Sequence, residues 1–554
     1  MPWHPGSIVQ ALLNAVHVSP GRPALLFGDR TWTYQDLVDG AAAWAGGLRR
    51  WGLRPDDRVA LFLDNSPAFV TAYLGIHMAG GIAVLVNTQY RQVELRHILR
   101  DADVRLCITD PLRLPELARI EQDAPALEAI IIAGRSADDA DADDGLSRVP
   151  RLTSGEVCSS NGAGAVRAPD PTTIALIIYT SGTTGRSKGA MLTHQNMAAN
   201  SAAIVEAWRW TQQDRLLLAL PLFHVHGLTV GINGALLTGG SVDLRPRFDA
   251  AAIYNTLLRG ETTMFFGVPT MYTRLIAEAQ GRPERPPPLR LYVSGSAPLS
   301  VQTSEEFRAL FGQPILERYG MTETLMNLSN PFDGERRPGT VGQPFPGQEA
   351  RIVDIQTRQP ILDETLGEIE VRGPHVCKGY WRQPEATAAA FSADGWFATG
   401  DLGWRSADGY YTIAGRAREL IISGGYNIYP REVEEVLERH PAVAEAGVLG
   451  LPDPDFGEQV VAAVVLHPEA ALPTEGRNGL SAELVALCRN QLASYKKPRR
   501  MVYLDALPRN ALGKVQKHIL REWIEAGHVA PAPTPDTERR THSASVATDG
   551  RRTV

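Results

Sequence analysis

The stretch YTSGTTGRSKG, Tyr179 to Gly189, gathers three glycines, three threonines, two serines and a lysine directly after the apolar run IALII. Glycines let several backbone N–H groups converge, hydroxyls add donors and Lys188 adds charge, a combination suited to the oxygens of a polyphosphate. The order of Gly182, Gly185, Lys188 and Gly189 does not supply the G-x-x-x-x-G-K-[ST] spacing of the common phosphate loop. Gly185 to Gly189 does match G-x-S-x-G, the turn that presents a hydrolase serine. Ser187, however, ends a long polar loop instead of standing on a sharp turn straight off a strand, and no ordered Asp and His partners accompany it. The plain alternative is a solvated linker, and the density of hydroxyls beside a buried strand argues against it.

Such a loop needs rigid elements on both sides. The runs RVALFL (58–63), GIAVLV (81–86), TIALIIY (173–179) and RLYVSG (290–295) alternate with stretches of helical spacing. That alternation predicts α/β layers with buried, partly parallel sheets. At 554 residues with 44% apolar content the chain exceeds one core, and roughly 150 residues per unit gives three or four subdomains. Residues 134–170, rich in Asp, Ala, Ser and Gly, lack periodicity and read as a surface excursion. The texture changes near GRARELIISGGYNIYP (415–430). Beyond it the helix REVEEVLERH, the strands VAEAGVLGL and EQVVAAVVL and the helix SAELVALCRNQL predict a small α+β domain. The expected boundaries are 1–417, 418–527 and a disordered tail at 528–554, which is polar and Pro-rich.

The formal charge of −7 arises from interspersed acids and bases, with no basic stripe to hold nucleic acid. Cys107, Cys158, Cys377 and Cys488 are scattered and form no CxxC, which fits a reducing compartment. The first twenty residues lack the pattern of a signal peptide, and no window has the length of a membrane span. A soluble cytoplasmic protein is expected.

The loop motif followed by ERYGMTET (317–324), FATGDLG (397–403), GRARELIISGGYNIYPREVE (415–434) and LPRNALGKVQKHIL (507–520) resembles the adenylate-forming acyl-CoA synthetase superfamily. The resemblance runs from about residue 20 to 525, with the motifs in the family's order. It implies a large N-terminal domain of three subdomains, layered α/β sheets plus a small β-barrel-like part, and a small mobile α+β C-terminal domain. The implied reaction joins a carboxylic acid to ATP, giving acyl-adenylate and pyrophosphate, after which a thiol displaces AMP. ATP, Mg²⁺ and coenzyme A are the implied cofactors and co-substrates, with a carrier-protein arm or an amine as alternative acceptors.

By this resemblance Thr180, Ser181, Gly182, Thr183, Thr184 and Lys188 hold the β- and γ-phosphates. Tyr319 stacks on adenine, with Gly295, Ser296 and Ala297 lining the slot and Glu317, Gly320 and Met321 flanking it. Thr322 touches phosphate. Glu323 holds the metal, as a hard carboxylate oxygen suits Mg²⁺. Asp401 accepts from the ribose hydroxyls, with Arg416 close by; without the motif an Asp after Gly reads as a turn residue. Lys514 contacts the carboxylate and α-phosphate, where negative charge accumulates during adenylation. Arg418 occupies the hinge position, where Lys or Asp is more usual. Gly424 and Gly425 line the pantetheine tunnel, or form only a tight turn.

The acid is read from the segments between these motifs. The HxHG pattern at His224 to Gly227, Arg274 after VPTMYT, Arg318 before YGMTE, and SNPFDG are together similar to malonyl-CoA synthetases. Malonate carries a second carboxylate into a desolvated pocket, and leaving it unpaired costs several kcal/mol. Arginine's planar fork is suited to cancel that cost. Arg274 and Arg318, helped by Ser296 and His226, are expected to bind the distal carboxylate of malonate or methylmalonate. His224 acts as an aromatic gate. The alternative is that Arg318 pairs with Glu317 as a structural bridge and Arg274 lies on a solvated helix face.

Overall fold

The computed structural model describes residues 6–134, 148–158, 166–180, 187–470, 476–511 and 513–527. The chain divides into two compact units. The larger is Met1–Arg418 with Ala511–Lys514, and the smaller is Glu419–Asn510 with the chain from Val515 onward.

Among the described residues the larger unit holds three sheets. One, of seven strands, has at its centre Arg58–Phe62, with Ile82–Leu85 and Val104–Thr109 parallel on either side. Ile174–Thr180 extends it in parallel, and Lys188–Thr193 closes that edge antiparallel. The second, of nine strands, has a parallel core that includes Arg215–Leu218, Met264–Gly267, Leu291–Ser294 and Leu316–Met321. Sheets covered on both faces demand unbroken apolar strands. The buried runs Ala83–Leu85 and Leu216–Leu218 meet that demand. The third sheet is an antiparallel meander of Glu349–Val353, Gly367–Arg372, Phe397–Arg405 and Tyr411–Arg416. A small mixed sheet with helices Pro430–Glu438 and Gly476–Gln491 forms the smaller unit.

Local chemistry explains the covering helices. Tyr34–Arg50 starts on a reciprocal cap, in which Thr33 Oγ1 accepts from the Asp36 N–H at 3.1 Å and Asp36 Oδ2 accepts from the Thr33 N–H at 2.7 Å. Pro67–Ala79 begins with Ser66 as cap and Pro67 in the first turn, ends at Gly80 in the left-handed region, and is buried from Phe69 to Ala79. The sheets and helices of the larger unit pack into one large apolar cluster and a second, smaller one on the seven-stranded sheet.

One expectation needs correction. Within 134–170, Arg151–Thr153 forms a strand parallel to Ala129–Ile132, and Ser154–Cys158 forms a short helix. Elements of three and five residues are too short for a hydrophobic period to register. The tail 528–554 lies outside the described residues. No described helix is long and apolar enough to cross a membrane.

Candidate active site

Leu291–Ser294 and Leu316–Met321 lie side by side and parallel, with Ser294 opposite Glu317. Ligands of open parallel sheets bind beyond such carboxyl ends. Glu317 secures the turn that follows the first strand, its Oε1 accepting the Leu299 N–H at 3.0 Å. Gly295, Ser296 and Ala297 occupy that turn. Ser296 has a φ of +71°, in the left-handed region that non-glycine residues occupy uncommonly. Gly320 and Met321 end the second strand, opposite Met326 and Leu325.

Tyr319, Asp401 and Arg416 converge. The Tyr319 phenol donates to Asp401 Oδ2 at 2.5 Å, and Arg416 Nε meets Asp401 Oδ1 at 2.9 Å. Sheet register creates the second pair, because Asp401 stands opposite Arg416 on neighbouring strands. Burial, then the charge of Asp401, push the Tyr319 phenol well above its usual range, so it remains a donor. Each oxygen of a carboxylate can accept twice. Asp401 therefore keeps acceptor capacity for a diol.

A second convergence lies at the neck of the glycine-rich loop. Ser181, Gly182, Thr183 and Thr184 fall outside the described residues, but Thr180 and Lys188 face each other across the neck. Thr180 Oγ1 and the Tyr380 hydroxyl both donate to Glu323 Oε1, at 3.1 and 3.2 Å. The Lys188 ammonium lies 5.3 Å from the centre of the Tyr380 ring. At the loop's far end His97 Nε2 donates to the Ser187 carbonyl at 2.8 Å. Glu323 and its neighbour Thr322 are buried.

The described residues contain no group of three or more His, Cys, Asp or Glu able to hold a metal ion. A cation held by one carboxylate together with phosphate and water oxygens is the habit of Mg²⁺. Glu323 fits that habit: two hydroxyls cap Oε1, and Oε2 takes no hydrogen bond among the described residues.

The third cluster is built on Arg318, only 2% exposed. Its Nη2 donates to Ser296 Oγ at 3.4 Å, its Nε has no hydrogen-bond partner, and it forms no ion pair with a carboxylate among the described residues. Burial pushes its guanidinium down to about 9, against the opposing pull of Glu317 and Tyr272, which leaves it charged at neutral pH. A Cβ at Gly295 would come within 2.4 Å of Arg318 Cζ, so a side chain there would require the guanidinium to shift. His226 Nδ1 lies 3.2 Å from Ser296 Oγ, and its Nε2 has no hydrogen-bond partner among the described residues. Burial, then Arg318, then His224 push His226 well below 6.5. Burial, then Arg318, push His224 to about 3. Both rings are neutral, and the charge of the cluster is the arginine's alone. His226 opens a π-helical turn, His226–Ile232, a geometry often found at functional sites.

Arg274 stands apart. It lies exposed on the helix Pro269–Gln280 and makes no hydrogen bond or ion pair among the described residues. Thr270, one turn earlier, meets Gly513, where an added Cβ would come within 2.7 Å of Thr270 Oγ1. Lys514 follows, partly buried and grouped with the larger unit. Arg418 is exposed and is the last residue before the division between units. Gly424 and Gly425, with φ of +58° and +81°, form the two-residue turn between Ile421–Ser423 and Tyr426–Ile428. Positive φ at both positions is what such a hairpin turn requires.

Comparison with known proteins places this geometry. The family model described as AMP-binding enzyme matches residues 12–381, and that described as AMP-binding enzyme C-terminal domain matches 432–514. The chain belongs to the AMP-binding enzyme family. It is 36% identical to a malonate–CoA ligase of Arabidopsis thaliana over 84% of this chain and 78% of the relative. It is 34% identical to a long-chain-fatty-acid–CoA ligase of Bacillus subtilis over 95% and 96%. Its structure resembles ATP-bound MatB from Rhodopseudomonas palustris with a TM-score of 0.82 at 38% identity, covering 93% of this chain and 98% of that one. As an AMP-binding enzyme the chain is an AMP-forming acid–CoA ligase that binds ATP.

Two side chains at the neck of the glycine-rich loop were not anticipated from the sequence, Tyr380 and His97. Neither lies in a recognisable motif. Tyr380 reaches Glu323 only because its backbone bridges to Ala190 on the edge strand, a pairing that no spacing rule announces.

Proposed function

We propose that the enzyme activates malonate. A malonate carboxylate oxygen attacks the α-phosphorus of ATP and the bond to pyrophosphate breaks; the sulfur of coenzyme A then attacks the acyl carbon, the bond to AMP breaks, and the thiol proton leaves to solvent. The observation that carries this reading is Arg318, a buried cation that meets no described carboxylate and lies beside Ser296 and His226. A buried charge left unpaired costs several kcal/mol, and a second carboxylate on the substrate removes that cost.

In this reading Asp401 and Arg416 hold the ribose, and Tyr319 lies against adenine in the slot of Gly295 to Ala297. Thr180, Lys188 and the hydroxyls between them hold phosphate, with Thr322 beside them. Mg²⁺ on Glu323 supplies charge neutralisation for the pyrophosphate oxygens. Lys514 stabilises the charge that builds at the α-phosphate. Arg418 serves as the hinge for the second half-reaction, in which the Gly424–Gly425 turn gives the thiol a path without a blocking side chain.

Pyrophosphate release with a panel of acids tests the assignment. Malonate is expected to respond most strongly, methylmalonate next, and acetate, octanoate and benzoate least. A best response to a monocarboxylate overturns the malonate reading. A best response to sulfoacetate or oxalate keeps the role of Arg318 and changes the acid.

A further inference from the structure

Tyr380 occupies a place at the loop neck that none of the motifs assigns. Residues 378–381 run along the edge strand Lys188–Thr193. The Lys378 N–H donates to the Met191 carbonyl at 2.9 Å, the Met191 N–H to the Gly379 carbonyl at 2.9 Å, and the Trp381 N–H to the Gly189 carbonyl at 2.7 Å. Thr387 Oγ1 accepts the Tyr380 N–H at 2.9 Å and fixes the turn from the other side. The backbone of Tyr380 is thus pinned before its side chain does anything. From there the ring lies under the Lys188 ammonium and the hydroxyl reaches Glu323 Oε1.

One side chain therefore contacts a residue on each of two elements: Lys188, where the chain leaves the glycine-rich loop, and Glu323, directly after the strand Leu316–Met321. Thr180, at the loop's start, donates to the same oxygen of Glu323. Two hydroxyls on Oε1 orient the carboxylate so that Oε2 is the oxygen left for a ligand. We propose that Tyr380 is a positioning residue for MgATP, setting the Glu323 carboxylate and the Lys188 ammonium relative to one another. The inference rests on the reading of Glu323 and Lys188 as the metal and phosphate groups of the nucleotide site.

The test compares Tyr380→Phe, which keeps the ring, with Tyr380→Leu, which removes both ring and hydroxyl. Two quantities are read: KM for MgATP against KM for malonate, and the dissociation constant of Mn²⁺ in the enzyme–ATP complex by electron paramagnetic resonance. A hydrogen bond to a charged acceptor predicts that Tyr380→Phe weakens MgATP and Mn²⁺ by about tenfold while KM for malonate moves less than about twofold. Loss of the cation–ring contact predicts a further drop of about two- to fivefold in Tyr380→Leu. Values for Tyr380→Phe within twofold of the parent, or equal losses for ATP and malonate, overturn the proposal. Glu323→Gln and Lys188→Ala separate the two levels. If neither weakens MgATP, the nucleotide reading fails and the inference with it; if both do and Tyr380→Phe does not, the inference alone fails.

Discussion

The two sides of this site, which we assign to nucleotide and to acid, treat charge in opposite ways. On the nucleotide side the described charges have partners within the protein: Asp401 meets Arg416 and Tyr319, and Glu323 takes hydroxyls from Thr180 and Tyr380. On the acyl side Arg318 is buried with a serine hydroxyl at 3.4 Å and two neutral histidines for company. Partnered groups are rigid and can serve any substrate that shares the adenylate chemistry. An arginine buried without a carboxylate raises the energy of the empty pocket, and that energy is recovered only by an acid that brings an anion. In the proposed reading the reaction class is written in satisfied contacts and the acid in an unsatisfied one.

The largest effect is expected at Lys514, to which we assign the chemistry common to both sides. Lys514→Ala should lower malonate-dependent pyrophosphate release by about 10²- to 10³-fold, the usual loss when one donor to developing charge is removed. Transfer of the acyl group from supplied malonyl-adenylate to coenzyme A should change far less. Equal losses in both half-reactions would place the lysine in general architecture and not in adenylation.

The two arginines give the next largest effect and the sharpest contrast. Arg318→Leu should raise KM for malonate on the order of 10²-fold and leave KM for ATP nearly unchanged, since breaking a buried pair costs about 3–5 kcal/mol. The same substitution should leave the Tm of the ligand-free enzyme equal or higher, because it removes a desolvated charge that forms no ion pair among the described residues and only one long hydrogen bond, to Ser296 Oγ at 3.4 Å. Arg274→Leu, at an exposed position, should raise KM for malonate by no more than about fivefold. Comparable losses for the two variants would mean that Arg274 reaches the acid when it binds, and the contrast between buried and exposed arginine would then be a property of the ligand-free pocket only.

The sequence exposed the satisfied contacts better than the unsatisfied one. Buried strands announce themselves as apolar runs: Arg58–Phe62, Ile82–Leu85, Ile174–Thr180 and Leu291–Ser294 all appear where β-branched runs predict them. Asp401 and Arg416 belong to motifs, and sheet register then sets their distance. Burial of one particular arginine has no such signature. Arg274 and Arg318 look alike on the page, each beside Tyr or Thr, and only the folded chain separates them, Arg318 packed against the turn at Gly295 and Arg274 on an exposed helix position. Tyr380 was illegible for a related reason, since its position depends on backbone pairing between segments distant in the chain. The short elements at 151–158 escaped because so few residues cannot display a period.

The smallest expected effect asks whether the charge of Arg318 is felt by its neighbours. Five buried or partly buried histidines are held below their ordinary 6.5: His77 at about 4, His194 at about 2, His224 at about 3, His375 at about 3, and His226 well below. Their folded values lie under the unfolded one, so from pH 6.5 downward the unfolded chain takes up protons that the folded chain refuses, and stability falls with pH. Each such group contributes at most about 1.4 kcal/mol per pH unit. For His77 and His375 burial is the only cause that pushes downward, whereas His224 and His226 are also pushed by Arg318. Melting curves from pH 7.5 to 5 should show Tm falling in both the parent and Arg318→Leu, with the shallower slope in the variant. Parallel slopes would mean that burial alone keeps the pocket rings neutral, and that the arginine's field reaches no further than the acid it was placed to meet.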